Sequence, residues 1–116
     1  MARIRRLDQV ATVATLGHVA PIDARRARVV VVGRLTPGVA GLTLGRWILI
    51  RRGREQDLAL IAHELVHVRQ WRERGAVRFL VTYLVAYGRG RRAGLDHAAA
   101  YAAIPAEVEA RAIAGR

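Results

Sequence analysis

The run His63, Glu64, Leu65, Val66, His67 constrains this chain more than any other stretch, because it places three polar groups inside the apolar segment 58–68. On an α-helix, positions i and i+4 share a face about one turn apart. That spacing lets two imidazoles reach one zinc ion at roughly 2.0–2.1 Å each. Glu64, next to the first histidine, can reach a water on the same metal without being a ligand, which is the general-base position of an HExxH helix. Unpaired polar groups cost several kcal/mol to bury. A buried helix carrying two histidines and a glutamate therefore needs partners, and a metal supplies one.

The third ligand decides the class of site. The chain has no cysteine, so thiolate zinc sites, thiol nucleophiles and disulfide scaffolds are excluded, and any metal falls to His and carboxylate. Four histidines are present, His18, His63, His67 and His97. In one zinc-helix pattern a glycine and a third histidine follow at fixed offsets, but those offsets hold Gln70 and Glu73. The other pattern draws a glutamate from a later helix, and the segment after Pro105 offers Glu107 and Glu109. Two positions apart on a helix, they point about 200° apart, so one of them faces the histidines. Apolar periodicity does not separate the two.

The rest of the chain reads as an α+β fold: a small, mostly antiparallel sheet of about three strands, then the HExxH helix and C-terminal helices. Four successive valines after Arg28 fit a strand over 28–32. Thr36, Pro37 and Gly38 mark a turn. Further strands are expected over 40–44 and 46–51, with Gly45 between them. Acidic residues open a helix over 57–74, with Gly75 as its stop. A second helix is expected over 76–87, ending at Gly88, followed by a basic loop over 89–94. Asp96 is a plausible N-cap for a helix over 97–103, and Pro105 suits the first turn of a last helix to residue 114. Residues 1–24 are the least readable; an amphipathic docking helix over about 6–16 fits them, with Gly17 ending it and Pro21 preventing its resumption. At 116 residues the chain is expected to be one domain, 1–116.

The net charge is +11 and all 20 basic residues are arginine. Codon bias explains the choice of arginine, yet the charge still predicts weak, non-specific attraction to nucleic acid or an anionic membrane. Basic-aromatic interleaving of the kind that stacks bases is absent. The start of the chain forms no clean apolar block after its basic residues, and the apolar run 79–87 is too short to span a bilayer, so a cytoplasmic location is the expectation.

Three stretches together resemble small zinc metallopeptidase-like proteins of the gluzincin clan, many of them bacterial domains of unknown function. They are Leu42 to Ile50, Leu60 to Gln70 with its HExxH, and Pro105 to Ala110. The resemblance covers about residues 38–112 and implies a zincin-like fold. It implies a Zn2+ ion held by His63, His67 and Glu107, since the first glutamate of the clan's late segment is the ligand. It also implies hydrolysis of a peptide or protein substrate by a zinc-activated water, with Glu64 as general base. Tyr83, Tyr87, Tyr101 and His97 are available as oxyanion donors. By analogy with the clan, substrate would pair with the edge strand around 40–44. The match breaks at Arg111, where the clan has an aspartate that commonly orients a ligand histidine; Glu109 or Asp96 could substitute. The alternative function is a non-catalytic, zinc-stabilised interaction module whose helix 79–87 forms a contact surface.

Overall fold

Val29, Ile48 and Ile50 point to one face of a sheet and are buried there against Ile61, Ala62, Leu65 and Val68 of a single helix. This packing organises the computed structural model, which describes residues 3–9, 19–36 and 38–115. The fold is mixed α+β, with a four-stranded sheet and five α-helices among the described residues. Strands β1 (Arg3–Arg6), β2 (Arg28–Val32), β3 (Gly41–Leu44) and β4 (Trp47–Arg51) lie in the order β1-β2-β4-β3. Helices α1 (Pro21–Arg26), α2 (Leu58–Arg74), α3 (Ala76–Arg92), α4 (His97–Ala102) and α5 (Pro105–Ala114) complete it.

The sheet has one strand more than the sequence suggests. β1 pairs antiparallel with β2, Ile4 opposite Val30. Its arginine-rich sequence lacks an alternating apolar signal, and Ile4 itself is exposed. Charges on an edge strand deter further strand pairing, so this composition suits an edge. β3 and β4 form a hairpin about Gly45, whose φ of +63° suits a tight two-residue turn. β2 and β4 run parallel, Val29 opposite Ile48. The sheet is therefore mixed, because the chain inserts β3 at the far edge before β4 returns beside β2.

Two helical expectations are corrected. Of the helix expected over 6–16, residues 10–16 lie outside the described residues, as do Gly17 and His18. Residues 7–9 form a 3-10 turn that buries Leu7. Pro21 starts α1 rather than preventing a helix, since its fixed φ suits the first helical position. The second correction concerns α3, which passes through Gly88 and Gly90 to Arg92, so most of the expected basic loop is helical. Gly90 is there for close approach: a Cβ would stand 3.1 Å from Ala100 Cβ and 3.2 Å from its Cα. The helix stops at Gly94, φ +96°, where Leu95 N–H reaches Gly90 O and Gly94 N–H reaches Arg91 O. Those two bonds are the Schellman arrangement.

Asp57 caps α2 by accepting a hydrogen bond from Leu60 N–H at 3.1 Å. Asp23 of α1 takes a bidentate pair from Arg72, at 2.7 and 3.0 Å, and ties α1 to α2. A second apolar cluster, Phe79 with Ile104 and Ala106, joins α3 to α5 and brings the late glutamates beneath α2. No helix among the described residues is long and apolar enough to cross a membrane.

Candidate metal centre

The buried middle of α2 carries His63, Glu64 and His67, facing α5 on one side and β3 on the other. α5 begins at Pro105, so Glu107 falls in its first turn and is 2% exposed. Its carboxylate meets both histidines. Glu107 Oε1 lies 2.9 Å from His63 Nε2, and Oε2 lies 2.9 Å from His67 Nε2. Oε2 also accepts a 2.6 Å hydrogen bond from the Tyr83 hydroxyl. His63, His67 and Glu107 each offer a ligand atom, all within 4.8 Å of one another, and the three could hold a metal ion.

Gln70 makes this geometry informative. Its Nε2 donates to Ala106 O at 3.1 Å and to Glu109 Oε1 at 2.7 Å. Two acceptors at that end fix the amide, so Gln70 Oε1 faces His67 and accepts from Nδ1–H at 2.7 Å. In the neutral ring the proton then sits on Nδ1, leaving a lone pair on Nε2. His67 Nε2 is within 2.9 Å of Glu107 Oε2, yet it makes no aligned hydrogen bond. Two electron-rich atoms this close in a buried site repel each other unless a cation or proton lies between them. A metal among the three ligand atoms satisfies that requirement, so the residues present fit one.

The electrostatics agree with such a site. Burial works against the Glu107 carboxylate, but its close neighbours His63, His67 and the Tyr83 hydroxyl hold its pKa well below the ordinary carboxylate range. Burial likewise opposes a charge on His67; Glu107, Glu64 and Gln70 outweigh it, and its pKa is raised. Glu64 is the reverse case. Burial pushes its pKa up, opposed only in part by His67, His63 and the Thr43 hydroxyl. Thr43, on the inward face of β3, lies 2.9 Å from Glu64 Oε1 and 3.1 Å from Glu64 O.

A cleft of about 510 Å³ opens over His63, Glu64 and Glu107, walled by residues 38–41, Tyr101 and Arg111 among others. Of the four candidate donors, Tyr83 is committed to Glu107 and Tyr87 contacts His97 Nδ1 at 2.9 Å. Tyr101 and His97 line the cleft. Burial and the carboxylates of Glu107 and Glu64 push the Tyr101 hydroxyl above its ordinary pKa, so it stays a donor.

The structure brings His63, Glu64, His67 and Glu107 together and leaves Glu109 outside the group. Glu109 is spent on Gln70 and lies near Arg69 and Arg74, at 3.6 and 3.7 Å. Asp96 caps α4 through Ala99 N–H, and Arg111 donates to Ala102 O, so neither orients a histidine. The residue that does is Gln70, which the sequence reading used only to exclude a third histidine. Its signal was available: three residues after His67, it lies on the same helical face. Thr43 carried no signal beyond strand alternation. No protein-family model, curated protein or solved structure matches the chain.

Proposed function

We propose that this chain is a zinc-dependent peptidase with a zincin-like arrangement, in which His63, His67 and Glu107 hold the ion. Two imidazoles and one carboxylate are a donor set that suits zinc and leaves a coordination position open. Bound there, zinc supplies Lewis acidity, which lowers the pKa of water and polarises a carbonyl. The observation that carries the reading is the convergence of one ligand atom each from His63, His67 and Glu107, all within 4.8 Å of one another in a buried site.

The chain's own residues supply the remaining chemistry. Glu64 stands beside the ligands, buried, with its pKa raised by that burial, which makes it a stronger base toward a water proton. Thr43 fixes the direction of its carboxylate. Tyr101 O–H, on the cleft wall, donates to the oxygen that gains charge as the carbonyl is attacked. β3 lies at a sheet edge, and an extended peptide adds to it as a further strand.

Glu64→Gln tests the reading. The substitution retains zinc and abolishes peptide hydrolysis, measured by metal content and by cleavage of an unstructured protein substrate. Full activity in this variant, or no cleavage by the zinc-loaded parent, sinks the peptidase mechanism. The second outcome leaves the non-catalytic, zinc-stabilised interaction module.

A further inference from the structure

The outer face of α3 is the largest feature that the metal centre does not use. Phe79, Tyr83, Ala86 and Tyr87 turn inward, into the cluster with Ile104. Val77, Leu80, Val81, Leu84 and Val85 turn outward, between 45% and 78% exposed. At 100° per residue these five fall within an arc of about 140° centred opposite Phe79. Surface leucines and valines scattered singly need no explanation, but a contiguous stripe of this kind marks a contact surface. α3 contains no acidic residue, and Arg78, Arg89, Arg91 and Arg92 are all exposed. Arg91 and Arg92 continue the apolar face toward the C-terminal end, and Arg78 and Arg89 lie along one edge of it.

We infer that this face docks on an anionic lipid bilayer, with the aliphatic stripe at the acyl boundary and the arginines among the headgroup phosphates. Charge selects the occupant. A second copy would carry the same +11 and set arginine against arginine, because α3 is basic near both ends and has no acid to answer. Nucleic acid would answer the arginines and leave the aliphatic stripe in water, since aliphatic side chains offer no stacking platform. A bilayer with anionic lipid answers both parts of the face. Arginine is suited to the position, its stem lying along apolar surface while its head stays hydrated. α3 would lie on the membrane rather than cross it.

The test is co-sedimentation of the full chain with phosphatidylcholine vesicles that do or do not contain about 30 mol% phosphatidylglycerol. The parent protein binds the anionic vesicles and binds the neutral ones far more weakly. Val81→Ser with Leu84→Ser, which removes apolar surface without changing charge, weakens anionic binding at least about tenfold. Arg91→Gln with Arg92→Gln weakens it on the order of 20-fold, since each basic residue near such a surface contributes roughly fivefold. Arg25→Gln with Arg26→Gln, on exposed positions of α1, removes the same charge and leaves binding within about twofold. Circular dichroism reports whether each variant is folded; should the serine pair unfold, the two arginine pairs decide by themselves. The inference is overturned by no binding, by equal binding to neutral vesicles, or by equal losses in the two arginine pairs. It is also overturned by lipid-free self-association that the serine pair abolishes, which would make a second copy the occupant.

Discussion

Replacing Gln70 with Glu changes one atom and reverses the sense of two contacts. The amide nitrogen that donates to Glu109 at 2.7 Å and to Ala106 O at 3.1 Å becomes an oxygen facing two acceptors. Hydrogen bonds involving a charged group contribute roughly 1.5–3 kcal/mol, and leaving buried partners unmet costs roughly 1–3 kcal/mol. Glu109 is 40% exposed and has Arg69 and Arg74 nearby, so it can turn away and part of that cost is screened. The net loss expected for metal-free Gln70→Glu is about 1–3 kcal/mol. Adding Glu109→Gln supplies a donor opposite the new carboxylate and recovers most of it. Gln70→Ala has a different signature. It leaves His67 Nδ1–H without its acceptor and frees the ring to turn, so zinc affinity falls roughly 10–100-fold. Thermal unfolding of the metal-free proteins and zinc titration against a competing chelator read the two effects separately. If Gln70→Ala binds zinc within twofold of the parent, or Glu109→Gln fails to rescue Gln70→Glu, the orienting role of Gln70 is wrong.

Thr43→Val removes the hydroxyl that lowers the Glu64 pKa. The acidic limb of the pH-rate profile then moves to higher pH, and kcat falls at neutrality; a limb that stays in place or moves down refutes the Thr43 role. Metal-free stability should depend on pH in a definite sense. Glu107, with a depressed folded pKa, contributes stability above its unfolded value of 4.5 and loses it as pH falls. His67, with a raised folded pKa, contributes stability below its unfolded value of 6.5 and loses it as pH rises through the folded one. Glu64, also raised, acts in the same direction as His67. The metal-free protein should therefore melt higher near pH 5.5 than near pH 8. Zinc should reverse that order, because its ligands must be deprotonated. Melting curves at the two values with and without metal check it, and the same order in both states counts against the site. Arg72→Ala leaves the Asp23 carboxylate, 1% exposed, without its partner and should cost about 2 kcal/mol in denaturant melts. Zinc affinity should stay within about twofold; a larger loss would mean that α1 supports the ligands through α2.

The legible parts of the fold were those whose signal is local. Four valines in a row, the cap at Asp96, the proline at the start of α5 and the HExxH spacing depend on neighbours in sequence. The missed parts depend on neighbours in space. β1 is a strand because β2 offers it a ladder, and its arginines gave no pattern of alternation. Gly88 and Gly90 looked like a helix stop because glycine usually costs a helix stability, but Gly90 lies under Ala100. Glu107 and Glu109 could not be ranked by periodicity, since both face structure: Glu107 meets the histidines and Glu109 meets Gln70. Gln70 itself was read as the absence of a glycine, and its role emerges only once α5 is packed beside α2.

The fit between β3 and α2 makes one strand serve two purposes. A Cβ at Gly41 would stand 3.3 Å from Glu64 Cγ and 3.1 Å from Leu60 Cδ1, so the strand's backbone rests almost directly on the Glu64 side chain. Two residues on, Thr43 grips the same carboxylate. The strand therefore acts as a mounting bracket for Glu64 while its outer edge faces away from β4. Because β3 meets Glu64 at both Gly41 and Thr43, the place of the carboxylate is tied to the place of the strand. On the proposed reading, a peptide paired along that edge acts on Glu64 through the backbone of β3.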